Sequence, residues 1–398
     1  MSSMSAKNDS PIFIFNEHEA RYRFYDDHPF NQKRLLLTVE LLRQIDALNT
    51  ASILNPRFAE DHELLMVHSK DYVEAVKQLS CTSPTDESIR SAGRYGLDTE
   101  DTPYFEGMHE AASMIVGGSI QAAELVMSGQ HPHALHLGGG LHHALRDKGA
   151  GFCVYNDASA AISYIKNKYH CKVLYIDTDV HHGDGVQWEF YADSEVCTLS
   201  IHETGKYLFP GTGGIGERGS GDAFGKSVNI PIEPYTEDES WMECFEDALD
   251  AVVKQFRPDV IVSQHGCDAH AFDPLAHIHC SMDIYRKMPA LIHQYAHEYC
   301  DGKWIALGGG GYDIWRVVPR AWSLLWLEMN DHLLVAELSK NPELPLPVDW
   351  HNKHAKDSVW PLPTTWLDPL YKWEPMPRRT IISEKNREMK NLALMYLK

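Results

Sequence analysis

The sequence KVLYIDTDVHHGDG, residues 172–185, places four apolar residues directly before a run of carboxylates and imidazoles. The apolar run at 173–176 is typical of a strand in the interior of a sheet. Burial of a charged side chain without a partner is costly, so the acidic residues that follow need a compensating group. The stretch predicts a buried strand that ends in a functional site, and the candidate residues are Asp177, Asp179, His181, His182 and Asp184.

Similar apolar runs recur on both sides of this strand, between about residues 105 and 325, and helix-like segments separate them. Residues 108–127 place apolar side chains near a 3.6-residue period. A second helix is predicted to start at a capping box, Thr236 to Glu239, and to end before Pro258. This alternation predicts a mostly parallel sheet covered by helices. The predicted strands are residues 133–137, 172–176, 196–201, 227–232, 259–263 and 303–307.

Five of these strands are followed at once by glycines or by polar residues capable of chemistry. Parallel sheets bind ligands beyond the carboxyl ends of their strands. Because the strands are predicted to be parallel, we expect the five segments to meet at one edge of the sheet. They are GGGLHH (138–143), DTDVHHGDG (177–185), HETG (202–205), QHGCDAH (264–270) and GGGGY (308–312).

The first of the chemical predictions is a metal site. Asp177, Asp179 and His181 are spaced two residues apart, so in an extended chain their side chains point the same way. A carboxylate and an imidazole two residues apart can bind one divalent cation, which would offset the buried charge, and Asp268 is the best candidate for the third ligand. Three ligands leave one position open, as in catalytic sites, and the set suits Zn²⁺, Fe²⁺ or Mn²⁺. The alternatives are a polar cluster without metal, or ligation by His265, His270, His277 or His279.

The second prediction is a pair of proton-transferring histidines. Three glycines, which allow close approach of the backbone to a ligand, precede His142 and His143. Such histidines need an acceptor on the second ring nitrogen, and Asp177 and Asp184 are available for that purpose. Tyr312, after four glycines, can donate to an oxyanion. The structural alternatives are an exposed histidine pair and a glycine-rich turn packed by an aromatic ring.

The composition narrows the class of protein. A formal net charge of −20 disfavours binding to nucleic acid, which requires a basic surface. No run of about 18 apolar residues is present, so no membrane segment is predicted. The eight cysteines include no C-x-x-C pair, which favours free thiols in a reducing cytoplasm. GTGGIG at 211–216 lacks the preceding strand and the following helix of a nucleotide-binding motif.

The last part of the chain differs from the rest. Residues 359–379 are rich in proline and tryptophan and show little periodicity. We therefore expect a catalytic domain at residues 1–330. The extension at 331–398 is expected to pack on this domain or to take part in a homo-oligomer.

The motifs, in this order, resemble those of the zinc-dependent histone deacetylase family, and most of all the bacterial acetoin-utilization deacetylases. The resemblance covers about residues 20–325, beginning with a DDHP…KR segment at 26–34. Leu141 and residues 270–272 depart from the pattern of many relatives, which bears on substrate preference rather than on the metal. The matching motifs are GGGLHHA (138–144), GFCVYND (151–157), YIDTDVHHGDGVQ (175–187), LSIHETG (199–205), FPGTG (209–213), HGCDAHAFDPL (265–275) and LGGGGY (307–312).

The resemblance implies the arginase/deacetylase fold, a three-layer α/β/α arrangement with a central, mostly parallel eight-stranded sheet. It also implies site residues. The zinc ligands would be Asp179, His181 and Asp268, and the catalytic residues His142, His143, Asp177, Asp184 and Tyr312. Potassium would be held by Asp177, Asp179, His181, Ser200 and Ile201. Substrate binding would fall to Asp101, Gly151, Phe152, Phe209 and Leu275.

The activity implied by the resemblance is hydrolysis of N-ε-acetyl-lysine in proteins, with release of acetate. An acyl-CoA synthetase is a sensible target protein by analogy with the family, and a cytoplasmic location is expected. Three alternatives stay open. They are a deacetylase of small acetylated amines such as polyamines, a non-catalytic acyl-lysine binding protein, and a ureohydrolase-like enzyme with two manganese ions.

Overall fold

The computed structural model describes residues 10–397, and within them eight strands form one sheet. Every pair of neighbouring strands in this sheet is parallel, and the strand order is β2-β1-β3-β8-β7-β4-β5-β6. The strands are β1 (Ile12–Ile14), β2 (Ile53–Leu54), β3 (His133–His136), β4 (Val173–Asp177), β5 (Val196–Glu203), β6 (Ser227–Ile232), β7 (Val260–Gln264) and β8 (Trp304–Leu307).

Helices cover both faces of the sheet. Within residues 10–397 they are α1 (Lys33–Gln44), α2 (Asp61–Leu64), α3 (Lys70–Leu79), α4 (Asp86–Ser91), α5 (Met108–Met127), α6 (Asp157–Tyr169), α7 (Asp184–Glu189), α8 (Asp238–Phe256), α9 (Met282–Tyr299), α10 (Val318–Met329), α11 (Leu333–Lys340), α12 (Val348–His354) and α13 (Arg379–Leu394). Alternate residues of β4 serve the two apolar cores, because side chains alternate along a strand. Leu174 and Ile176 pack with α8, α9 and α10, whereas Val173 and Tyr175 pack with α5 and α6. The three-layer α/β/α prediction is confirmed.

The register of the central strands aligns the segments that the sequence marked. Asp177, at the end of β4, pairs with Ser200 of β5 and with Gln264 of β7. Gln264 pairs in turn with Leu307, the last residue of β8, and Leu307 pairs with His136 of β3. The residues that follow these strands therefore emerge side by side at one edge of the sheet.

Six predicted strands are confirmed to within two residues at each end. The sequence did not predict β1 and β2, which have three and two residues and are too short for a period to be seen. The capping box at Thr236 is wrong. The helix begins after Glu237, and the Thr236 hydroxyl donates instead to the carbonyl of Glu233.

The chain after residue 330 lies against the sheet layers through buried polar contacts. Asp368 accepts from Arg320 Nη1 and pairs with His270 Nε2, each at 2.9 Å. Helix α13 lies against β6, the edge strand, where Asn386 is fully buried and accepts from the Glu233 amide at 2.8 Å. The division of the chain into two parts at residue 330 stays a prediction. In residues 10–397 no helix combines the length and the apolar character needed to cross a membrane.

Candidate active site

Three potential metal ligands converge beyond the ends of β4 and β7. His181 Nδ1 lies 3.2 Å from Asp179 Oδ1 and 3.0 Å from Asp268 Oδ2. All three ligand atoms fall within 4.8 Å of one another, and the three side chains are buried. The structure therefore brings together the trio that the sequence singled out.

The surrounding groups fix the carboxylates of this trio. The Gly310 amide and Gln264 Nε2 donate to Asp179 Oδ2 at 2.6 and 2.7 Å. The Val180 amide donates to Asp268 Oδ1 at 2.9 Å. Hydrogen-bond partners around a metal site orient the side chains that bind the ion. The trio is therefore held in position before any ion binds.

The charges of the trio favour binding of a cation. Burial disfavours the charged His181 ring, but the hydrogen bonds to Asp179 and Asp268 outweigh it and raise the pKa of His181 to about 10. Burial and the charge of Asp179 raise the pKa of Asp268 to about 6. A proton on His181 thus partly offsets two buried carboxylates. A divalent ion with oxygen and nitrogen ligands can displace that proton, and three protein ligands leave room for a substrate atom.

His142 and His143 form the pair predicted from GGGLHH. Their Nε2 atoms lie 3.0 Å apart, and each Nδ1 faces its own carboxylate. His142 Nδ1 is 2.8 Å from Asp177 Oδ2, and His143 Nδ1 is 2.7 Å from Asp184 Oδ1. Both rings are buried, so the carboxylates fix the ring orientations and the Nδ1–H tautomers.

The two rings differ in proton affinity. Burial lowers the pKa of His142, but the charges of Asp177 and Asp179 outweigh it and raise the pKa to about 9. Burial and the adjacent His142 lower the pKa of His143 to about 4, although Asp184 opposes the shift. At neutral pH the pair therefore carries one charge, which resides on His142.

Tyr312 extends from the glycine-rich segment after β8 toward the trio. Its ring centroid lies 6.3 Å from that of His181 and 5.6 Å from that of Phe152. The Tyr312 amide donates to Asp273 Oδ2 at 2.8 Å, which holds the segment in place. Burial, followed by the charges of Asp268 and Asp179, raises the pKa of the phenol well above 10. The hydroxyl is therefore a proton-bearing donor at neutral pH.

Aromatic side chains next to the His142–His143 pair form the rim of the candidate active site. Phe209 is 43 % exposed, and its ring centroid lies 5.0 Å from that of His143. Gly151 lies between these two rings at a φ of +52°, where a Cβ would come within 2.5 Å of the His143 ring and 2.8 Å of Phe209. Phe152 also adopts a positive φ, 69°, and its amide donates to the Thr102 hydroxyl at 3.0 Å.

The two other residues predicted to bind substrate, Asp101 and Leu275, make backbone hydrogen bonds to nearby residues. Asp101 is exposed, and its carbonyl accepts from His28 Nε2 at 3.2 Å. The His28 ring in turn packs on Phe152, with the centroids 4.7 Å apart. Leu275 is half-buried, and its amide donates to Asp273 at 3.0 Å.

Of the residues predicted to bind potassium, Asp177 lies on β4, Ser200 and Ile201 lie on the neighbouring β5, and Asp179 and His181 follow β4. Asp177 pairs in register with Ser200, and Asp177 Oδ1 accepts from the Asp179 amide at 3.1 Å. The Ser200 hydroxyl lies 2.8 Å from His202 Nδ1, and Ile201 stands between these two residues in β5. The potassium site stays a prediction.

Several residues that shape the site were not predicted from the sequence. Asp157 accepts from the amides of Gly140 and Leu141 at 3.0 and 2.7 Å and so fixes the glycine turn before the histidine pair. Arg34 is buried and donates to the Gly311 carbonyl at 2.8 Å. The signal for Gln264 was its place at the end of an apolar strand, as for Asp177. Arg34 lies far away in the chain, and no local pattern indicated its contact.

Comparison with known proteins agrees with this geometry. The profile of the histone deacetylase domain matches residues 28–329. The chain therefore belongs to the histone deacetylase family, a family of metal-dependent hydrolases. Its fold is similar to the crystal structure of a histone deacetylase homolog complexed with SAHA, with a TM-score of 0.83 and 26 % identity over 96 % of this chain and 100 % of that one. It is also similar to a homolog from Aquifex aeolicus, with a TM-score of 0.80, 27 % identity and the same two coverages.

Within the family the chain is similar to acetoin utilization proteins named AcuC. It is 51 % identical to that of Bacillus subtilis (strain 168) over 383 residues, which are 96 % of each chain. It is 45 % identical to that of Staphylococcus aureus (strain MSSA476) over 386 residues, 97 % of each chain. The resemblance stated from the motifs is confirmed.

Proposed function

We propose that the chain hydrolyses the amide bond of N-ε-acetyl-lysine in proteins and releases acetate and free lysine. The observation that carries the proposal is the histidine pair beside the Asp179–His181–Asp268 trio, with a separate carboxylate behind each ring. A divalent ion on the trio, zinc in the first place, would supply Lewis-acid polarisation of the amide carbonyl.

The side chains account for the proton transfers. His143 is the neutral member of the pair, so its Nε2 accepts a proton from the attacking water and returns one to the leaving amine. His142 stays protonated against Asp177 and stabilises developing negative charge. The Tyr312 hydroxyl donates to the oxyanion, a contact that is stronger in the transition state than in the ground state.

The rim supports a lysine side chain as substrate. Phe209 and Phe152, on either side of Gly151, offer apolar surface to four methylene groups. The exposed Asp101 carboxylate would accept from the backbone amides of a peptide. The same exposed carboxylate favours a second candidate, a small acetylated amine such as N-acetylputrescine, because it can pair with the free ammonium group.

A comparison of the two substrates tests the proposal. We expect a higher kcat/KM for an acetyl-lysine peptide than for N-acetylputrescine. We also expect Asp101→Ala to lower kcat/KM for the peptide about tenfold or more, because the variant loses charge-assisted hydrogen bonds to the peptide backbone. Glu100→Ala removes an adjacent exposed carboxylate and is the matched control. Faster turnover of N-acetylputrescine would replace the peptide proposal with the second candidate, and turnover of neither would overturn both.

The proposal extends to the setting of the enzyme. A potassium ion near Asp177 and Ser200, a cytoplasmic location and an acyl-CoA synthetase as target protein belong to it. The eight free thiols suit a reducing compartment. Profiling of acetyl-lysine sites in cells with the active chain and with Tyr312→Phe would identify the target, as sites that gain acetylation only in the variant.

A further inference from the structure

Three histidines meet at the edge of the sheet opposite the candidate active site. His133 is the first residue of β3, and His293 and His297 lie four residues apart on α9. His293 Nε2 lies 3.1 Å from His133 Nε2 and 3.1 Å from His297 Nε2. Three ligand nitrogens, one from each residue, fall within 4.8 Å of one another.

His293 Nε2 is shared by both of these contacts. A neutral imidazole has one in-plane group at each nitrogen, either an N–H or a lone pair. His293 Nδ1 lies 3.4 Å from Glu328 Oε1, so its N–H faces the carboxylate and its Nε2 presents a lone pair. One lone pair then faces two neighbouring nitrogens at equal distances.

A metal ion would accept a lone pair from each of the three rings. With Zn–N distances of about 2.0–2.1 Å, tetrahedral coordination places ligand nitrogens about 3.3 Å apart, close to the 3.1 Å of the two pairs that include His293. Two histidines at i and i+4 on a helix are a common source of zinc ligands, and an outer carboxylate that takes the other N–H of a ligand histidine is a common feature of such sites. Glu328 has that relation to His293.

The burial pattern of the three histidines and the charge at the end of α9 also favour a metal ion. His133 and His293 are buried whereas His297 is exposed, so an ion can enter from solvent and retain water as a further ligand. His297 lies in the last turn of α9, where the helix dipole favours a cation.

We propose that His133, His293 and His297 form a second metal site, which binds a divalent transition-metal ion such as Zn²⁺. The site is separate from the Asp179–His181–Asp268 trio, because β3 begins at His133 and the trio lies beyond the carboxyl ends of the strands. An ion there bonds β3, in the middle of the sheet, to α9 of the outer layer. It therefore stabilises the folded chain by mass action.

The test counts zinc on the full chain, prepared without a histidine tag. The chain is stripped with a chelator and equilibrated at one free zinc concentration, and bound zinc is measured by mass spectrometry. We expect two ions for the natural sequence, one for His297→Gln and two for His62→Gln, which removes an exposed histidine elsewhere. Because His297 is exposed, its replacement removes little buried surface.

A reciprocal variant keeps the two sites distinguishable. Asp268→Asn, which weakens the trio, is expected to retain one ion, and the double variant Asp268→Asn with His297→Gln to retain none. Added zinc should raise the unfolding temperature of Asp268→Asn but not that of the double variant. The proposal is overturned if His297→Gln binds as much zinc as the natural sequence, or if Asp268→Asn binds none.

Discussion

The Nε2 atoms of His142 and His143 lie 3.0 Å apart, while their Nδ1 atoms face two different carboxylates, Asp177 and Asp184. Adjacent rings with separate partners cannot both hold a proton on the facing nitrogens. The result is one ring with a pKa of about 9 and one with a pKa of about 4. Two residues of the same type thereby acquire different chemical roles.

Asp184→Asn tests the orienting role of the carboxylate behind His143. The amide can present an N–H to His143 Nδ1, which forces the proton onto Nε2 and removes the base. We expect kcat for an acetyl-lysine peptide to fall about 10²–10⁴-fold with little change in KM. Asp147→Asn removes a nearby exposed carboxylate and should leave kcat unchanged. Full turnover by Asp184→Asn would contradict the assignment.

Tyr312→Phe tests the oxyanion donor. Loss of the hydroxyl should lower kcat on the order of a hundredfold or more, because the contact forms in the transition state. Tyr285→Phe is a matched control, since its buried hydroxyl has no hydrogen-bond partner within the described chain and its loss costs little stability. Steady-state kinetics of both variants on one peptide decide the matter. Equal rates for Tyr312→Phe and the natural sequence would rule out the role.

Gln264→Leu tests whether the hydrogen bond from Gln264 positions Asp179 for metal binding. The Gln264 amide donates to Asp179 Oδ2 at 2.7 Å and accepts from the Gly266 amide at 2.9 Å. Its loss should weaken metal binding about 10–100-fold, measured by competition with a chelator of known affinity. The exposed Gln255→Leu is the control. An unchanged affinity in Gln264→Leu would show that this hydrogen bond does not position Asp179 for the ion.

The Glu189 carboxyl is expected to lower the stability of the folded chain in a pH-dependent way. Burial raises the pKa of this half-buried carboxyl to about 7, and Arg146 only partly opposes the shift. The folded chain therefore holds the proton more tightly than the unfolded chain. The resulting penalty is absent below the ordinary pKa of 4.5, grows as the pH rises to about 7 and is complete above it.

Glu189→Gln removes that penalty. We expect a gain of about 1–3 kcal/mol in the free energy of unfolding at about pH 8 and a much smaller gain at about pH 5. Denaturant unfolding at the two pH values measures the difference. Glu195→Gln, at an exposed position, is the control. An equal gain at both pH values would show that ionisation is not the cause.

The sequence predicted the parts of the site that follow long apolar strands. Asp177 is the last residue of β4, Asp179 follows it, and Asp268 lies in the segment after β7. Strand periodicity and the topology of parallel sheets were therefore enough to bring them together. The residues that hold them were harder to find. Arg34 reaches Gly311 from a distant helix, and a pairing of that kind has no signature in either local stretch.

The short strand β1 and the start of α8 were not predicted correctly, for a different reason. The three residues of β1 form a strand because β2 and β3 pair with them on either side. Thr236 has the spacing of a cap, yet its hydroxyl donates to Glu233 and accepts from Asn386, a residue of the far end of the chain. In both cases tertiary contacts override the local pattern.

The central claim is that activity requires an ion on Asp179, His181 and Asp268. Its most direct test measures bound transition metal and peptide deacetylation on the same samples of full chain, before and after chelation and after readdition of Zn²⁺, Fe²⁺ or Mn²⁺. We predict that turnover disappears with the metal and returns with at least one of these ions, while Asp268→Asn stays inactive throughout. Undiminished turnover by a chain shown to hold no transition metal would contradict the account.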